Sequence, residues 1–132
     1  MRLETVLRIL IVVVIVFPIF GAAFDSIVPG HLPPELAAYA ESQLEAPLTA
    51  LEWLFLGLAG PFFVSAVGLW FFQPWARWLY TAVTAVTFLL SPFDPPWVGS
   101  SIASTLNDLS TFCDGAVVAL IWFSDLRGRF GS

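Results

Sequence analysis

Four side chains able to handle a proton or a cation fall within one apolar stretch, STLNDLSTFCDGAVVALIWF at 104–123: Asn107, Asp108, Thr111 and Asp114. Carboxyl groups inside a bilayer are costly to ionise, and they mark proton and ion pathways or polar contacts between helices. A pair of carboxyls could also divide acid and base duties, but that chemistry needs an electrophile beside them and the stretch supplies none. Other catalytic arrangements are missing. His31 is the only histidine and stands in a proline-rich segment, where it reads as a solvated side chain. Cys113 is the only cysteine, so the chain can form neither an internal disulfide nor a thiolate metal cage. There is no glycine-rich phosphate loop and no G-x-S-x-G. The chain is therefore expected to work without catalysis, without a metal and without a cofactor.

The chemistry open to these acids depends on the solvent around them. Of the 132 residues, 58% are hydrophobic and 11% charged, against roughly 25% charged in soluble domains, and the mean hydropathy is +0.87. Lipid is the expected solvent. Trp122, Ser124, Asp125, Arg127 and Arg129 mark a membrane exit after Phe123, and counting back about 20 residues for one span reaches Ser104. At about 1.5 Å per residue Asp114 then lies about 15 Å from Ser124, near the middle of a core about 30 Å thick, and Asp108 about 24 Å from it. An ionised acid at bilayer centre costs about 2.5–3.5 kcal/mol, and no Arg or Lys falls in that half of the membrane. Asp114 is expected to be protonated and hydrogen-bonded to Thr81, Thr84 or Thr87, or hydrated in an internal polar pocket.

The rest of the chain divides into spans around that helix. Apolar runs predict an all-α, four-helix transmembrane bundle in a single membrane domain, with spans at about 5–24, 48–72, 76–92 and 103–123 and an external loop at 25–47. The first run, with its basic start, Pro18 and then Gly21, Ala22 and Ala23, has two readings: a retained anchor, or a leader cleaved near residue 23. In the loop, PELAAYAESQLEA opens with Pro34 at a first helical position and puts Leu36, Tyr39, Ala40 and Leu44 on one face, which predicts a short amphipathic helix. The turns FFQPWAR and SPFDPPW separate the later spans.

All five basic residues, Arg2, Arg8, Arg77, Arg127 and Arg129, fall on the N-terminus, the second connection and the C-terminus. Four crossings put these on one side, and the positive-inside rule makes that side cytoplasmic. Trp70, Trp75, Trp78 and Trp122 then mark the inner interface, Trp53 and Trp97 the outer. Small size and short loops point to a bacterial cytoplasmic (inner) membrane. A net charge of -5 with scattered arginines argues against a nucleic-acid partner.

Helices in lipid associate through close packing and hydrogen bonds. Small residues four apart predict buried stripes at Asn107, Thr111, Gly115 and Ala119, and at Gly57, Pro61 and Ser65. At about 100° per residue Asp108 and Asp114 flank Thr111 by about 60° on either side, so both are expected to face protein. Glu4 and Arg8 read as a helix-surface ion pair, and Glu52 as a solvated interfacial acid. Two functions compete. The first is a non-enzymatic interaction or accessory protein, of immunity type among the possibilities, that meets a basic partner through Glu35, Glu41, Glu45 and Asp94. The second is an oligomeric proton- or cation-coupled transporter or channel that uses Asp114 and Asp108, with Asn107, Thr111, Thr84 and Thr87 along its path. Membrane lipids and a protein partner are expected in the first case, a homo-oligomer in the second.

Overall fold

Lipid offers no hydrogen bonds, so a long apolar segment must satisfy its own backbone, and helix is the structure that does this within one segment. The computed structural model describes residues 2–27, 33–94 and 98–131; His31, Trp97, Pro29, Pro95 and Pro96 lie outside the described residues. Among the described residues there are five α-helices and no strand: α1 Leu3–Ile27, α2 Pro34–Glu45, α3 Ala50–Trp70, α4 Pro74–Leu90 and α5 Ser101–Phe123. 3-10 segments follow α4 at Ser91–Phe93 and α5 at Asp125–Phe130. Three helices, α1, α3 and α5, are long and apolar enough to cross a membrane. Large apolar side chains face outward along them, Phe112 at 80% and Phe123 at 89% exposure among others, as a helical membrane protein requires.

The helices pack as two antiparallel pairs, α1 with α5 and α3 with α4. In the first pair the buried residues keep heptad spacing, with a row at every seventh position, Leu7, Val14 and Gly21 on α1 and Ala103, Ser110 and Val117 on α5, and Ile11 and Ile121 four residues after Leu7 and Val117. A seven-residue repeat on both partners is the pattern of left-handed packing at a shallow crossing angle. The pairing runs from Gly21 against Ala103, through Val14 against Ser110, to Leu7 and Val117 in the common core. Gly21 suits this close approach, because a Cβ there would lie 3.1 Å from the Ala103 Cα and α5 would have to give by a few tenths of an ångström.

Pro18 sits inside α1 and has no N–H to give the Val14 carbonyl one turn back. The Ser110 hydroxyl of α5 donates to that carbonyl at 2.9 Å instead. The helix break and its repair come from different helices. Both ends of the pair are also tied. Asp25, in the last turn of α1, accepts from the backbone N–H of Ser100 at 3.0 Å and from its hydroxyl, while Ser100 caps α5 by accepting from the Ala103 N–H at 3.1 Å. The carboxylate is disfavoured by the dipole of its own helix and favoured by that of α5. At the other end Arg129 pairs with Glu4 at 2.6 Å. Asp25→Ala should lower stability by about 1 kcal/mol, read from reversible unfolding in mixed micelles, with amide exchange rising first at Ser101 to Ala103.

The second pair turns on Phe71, Phe72 and Gln73. The Gln73 N–H bonds the Gly68 carbonyl at 2.9 Å and the Phe72 N–H the Leu69 carbonyl at 3.1 Å, with Phe72 in the left-handed region at φ 56°. This is a Schellman ending that commonly carries glycine. Phenylalanine costs about 1–2 kcal/mol in that conformation, offset by its ring stacking 5.3 Å from Phe130 and lying under the Arg8 and Arg129 guanidiniums. Pro74 then starts α4. At its far end α3 begins with a capping box, in which Thr49 Oγ1 accepts from the Glu52 N–H and Glu52 accepts from the Thr49 N–H at 2.6 Å. Glu52 is thus a helix cap, a role that the T-x-x-E spacing encodes.

Three expectations need correction. Asn107, Thr111, Gly115 and Ala119 are exposed, because α1 packs on the seven-residue row of α5 and not on its four-residue row. Gly57 is exposed too, while Ser65 in the same stripe is buried and donates to the Phe62 carbonyl at 2.7 Å. Glu4 pairs with Arg129 and leaves Arg8 to lie over Trp70, 5.2 Å from the ring centroid. The loop helix forms as α2, with Tyr39 and Ala40 half-buried and Leu36 and Leu44 exposed.

Candidate functional site

With α1 centred on Ala103, Ser110 and Val117, the two acids of α5 part company. Taking about 100° per residue, Asp114 lies beside the packed face and Asp108 on the opposite side. Asp114 is half-buried, and its carboxyl accepts a hydrogen bond from the Tyr80 hydroxyl of α4. Tyr80 is 1% exposed and its ring sits 5.5 Å from that of Phe62, so α3 fixes the phenol that α4 presents to α5. Sequence reasoning missed this partner and looked to the threonines of the same helix. The signal was present: Ala76, Tyr80 and Val83 follow helical spacing from the turn, and a buried tyrosine hydroxyl usually needs an acceptor.

The threonines have other duties. Thr81 donates to the Arg77 carbonyl at 2.8 Å and accepts from the Trp122 indole N–H at 2.8 Å. Thr84 keeps a buried hydroxyl with no hydrogen-bond partner, one turn beyond Tyr80, and Thr87 is exposed. Thr111 donates to the carbonyl of Asn107 in its own helix at 3.0 Å, and Asn107 and Asp108 are exposed. Of the six polar candidates, only Asp114 and Thr84 therefore turn toward the interior, Asp114 between α4 and α5.

Below Tyr80 that interior closes. Arg77 is 7% exposed, its guanidinium 4.4 Å from the Trp122 ring centroid, and Trp78 meets Trp122 edge-on at 4.6 Å. A desolvated cation on an indole face gains about 2 kcal/mol, and it accounts for the burial of a guanidinium whose Nε and Nη1 have no hydrogen-bond acceptor. Cys113 is half-buried and unpaired. Tyr80→Phe keeps the ring on Phe62 and removes the donor. The expected loss is about 0.6 kcal/mol, measured by unfolding in mixed micelles, with a double-mutant cycle against Asp114→Asn isolating the bond.

The acidic candidates gather at the other end. Glu35, Glu41, Glu45 and Asp94 are all exposed. A cavity of about 770 Å³ opens there between the end of α1, α2, the start of α3 and the approach to α5. Asp25, Glu52 and Asp94 stand in its wall beside Leu44, Phe55 and Val98. Among the described residues no three His, Cys, Asp or Glu side chains are grouped to hold a metal ion.

The chain matches no protein-family model, no curated protein and no solved structure.

Proposed function

We propose that this chain is a four-span protein of a bacterial cytoplasmic membrane, with both termini inside, that acts without catalysis by binding another protein. The fourth span in this reading is α4. Its 17 residues rise about 25 Å, and the 3-10 turn at Ser91–Phe93 adds about 6 Å, which together reach the roughly 30 Å of a hydrocarbon core. The gathering of all five arginines at one end supports the inward orientation. α1 is kept in this reading as a retained anchor, supported by the bonds of Ser100 to Asp25 and of Ser110 to the Val14 carbonyl.

One observation carries the interaction reading: the end without a single Lys or Arg exposes Glu35, Glu41, Glu45 and Asp94, the last in the wall of the cavity between α1, α2 and α3. Such a surface suits a basic partner, a membrane-active protein to be neutralised included, through complementary potential. Photo-cross-linking groups placed between Glu35 and Glu45 should capture a distinct protein, and the Glu35→Lys, Glu41→Lys, Glu45→Lys triple variant should lose it. Self-contacts alone, or capture that ignores the charge reversal, would refute the reading.

The rival is a proton- or cation-coupled transporter, favoured by the Tyr80–Asp114 bond and the unpartnered Thr84 hydroxyl one turn away. Its signature is pH-driven flux in proteoliposomes that disappears in Asp114→Asn. Such flux would overturn the interaction reading.

A further inference from the structure

Within that interaction reading, on which this inference rests, we propose that the face of α5 turned away from α1 docks a transmembrane helix of another protein, one that brings a lysine or arginine to the depth of Asp108. Ser104, Asp108, Thr111 and Gly115 lie within about 60° of one another around α5, and all four are exposed. The contacts of α4 with α5 sit at Asp114 and around Trp122, and the half of α5 from Ser104 to Thr111 is exposed on this side among the described residues. The relief of the face suits a helix. A Cβ on Gly115 would meet nothing within 4 Å, and serine and threonine add little bulk, so a partner backbone can approach closely. Thr111 has its hydroxyl satisfied by the Asn107 carbonyl, and Asp108 is the charged group on this face.

The charge decides which helix fits. Asp108 lies about 10 Å along α5 from Ser101, inside the span, and the chain has no Lys or Arg between Arg77 and Arg127 or between Arg8 and Arg77. A second copy in the same orientation would bring another Asp108 to that level and no cation. The occupant is therefore a different protein whose span carries a cation, with Asn107 at the edge of the contact as a further hydrogen-bonding group.

The test uses the full-length chain, donor-labelled and reconstituted in lipid vesicles. The probe is an acceptor-labelled Leu-Ala helix of roughly 20 residues carrying one Arg a third of the way along, with its all-apolar counterpart as control. Energy transfer should show the Arg helix associating about tenfold more tightly than the control. Asp108→Asn should erase that preference, Asp108→Lys should transfer it to an Asp-bearing helix, and Gly115→Leu should weaken both probes. Equal association of Arg and apolar helices with the native chain would overturn the proposal, as would a preference that survives Asp108→Asn. Disulfide formation between Thr111→Cys copies in a Cys113→Ser background would also overturn it, by showing that a second copy covers the face. Because Asp108 is exposed and makes no hydrogen bond or ion pair among the described residues, its variants should unfold as the native chain does. Cross-linking from α2 reports on the acidic surface separately, so the interaction reading can stand if this docking face fails.

Discussion

Ser110→Ala should destabilise the chain by about 1–3 kcal/mol, the cost of leaving a buried backbone carbonyl without a donor. The carbonyl is that of Val14, orphaned by Pro18 four residues later and held by the Ser110 hydroxyl at 2.9 Å. Little else changes, since alanine fits where serine did and the neighbouring Ala103 and Val117 contacts are untouched. The decisive measurement is a double-mutant cycle. Pro18→Ala returns an N–H to position 18 that can reach Val14 within α1, so the loss from Ser110→Ala should shrink to a few tenths of a kcal/mol in that background. Unfolding in mixed micelles, followed by tryptophan fluorescence, gives each corner of the cycle. Equal losses with and without the proline would mean that Ser110 contributes through packing and not through the repair of α1.

The helices themselves were legible. α1, α3 and α5 lie over the apolar runs at 5–24, 48–72 and 103–123, and Pro34 starts α2. Hydropathy and proline placement act within one segment, so one segment suffices to read them. How each helix is turned about its axis was not legible by the same means. α5 carries two rows of small residues, one every fourth position through Asn107, Thr111, Gly115 and Ala119, and one every seventh through Ala103, Ser110 and Val117. Either row could pack. The choice is made by α1, whose Leu7, Val14 and Gly21 repeat every seventh position, and comparing the two periods was the missing step. That rotation carries Asp114 toward Tyr80 and turns Asp108 outward, so one misread period changes the surroundings of both acids. Asp25 is a second case: an acid in the last turn of a helix is unfavourable there, and that local conflict was a sign that it serves another helix.

The two pairs are tied internally and to each other by different means. Within each pair the helices are locked by close approach and by hydrogen bonds at Ser110 or in the Phe72 turn. Between α4 and α5 the ties are side-chain contacts, Tyr80 to Asp114 and the cluster of Arg77, Trp78 and Thr81 around Trp122. Side-chain hydrogen bonds between membrane helices average about 0.6 kcal/mol, so the pairs are held together mainly by the buried core that Leu7, Ile11, Ala66, Leu69, Tyr80, Val117 and Ile121 share and by Phe72 against Phe130.

The α3–α4 pair offers the sharpest steric test. Gly68 faces the start of α4 so closely that a Cβ would fall 2.5 Å from the Ala76 Cβ and 2.9 Å from the Trp75 ring. Gly68→Ala in an open helix face would stabilise through backbone propensity by about 1 kcal/mol. Here the clash wins. Trp75 can swing aside, but Ala76 has no side-chain torsion to relax, so α4 itself must shift, and the Gly68 carbonyl that accepts from the Gln73 N–H shifts with it. Overpacking of this kind costs about 1–3 kcal/mol and more where backbone must move, so a net loss of about 3 kcal/mol is expected from unfolding in mixed micelles. Ala76→Gly in the same chain removes the nearer obstacle and should recover most of that loss. If Gly68→Ala proved neutral, α3 and α4 would not approach as closely as the turn at Phe72 sets them, and the placement of Tyr80 against Asp114 would go with it.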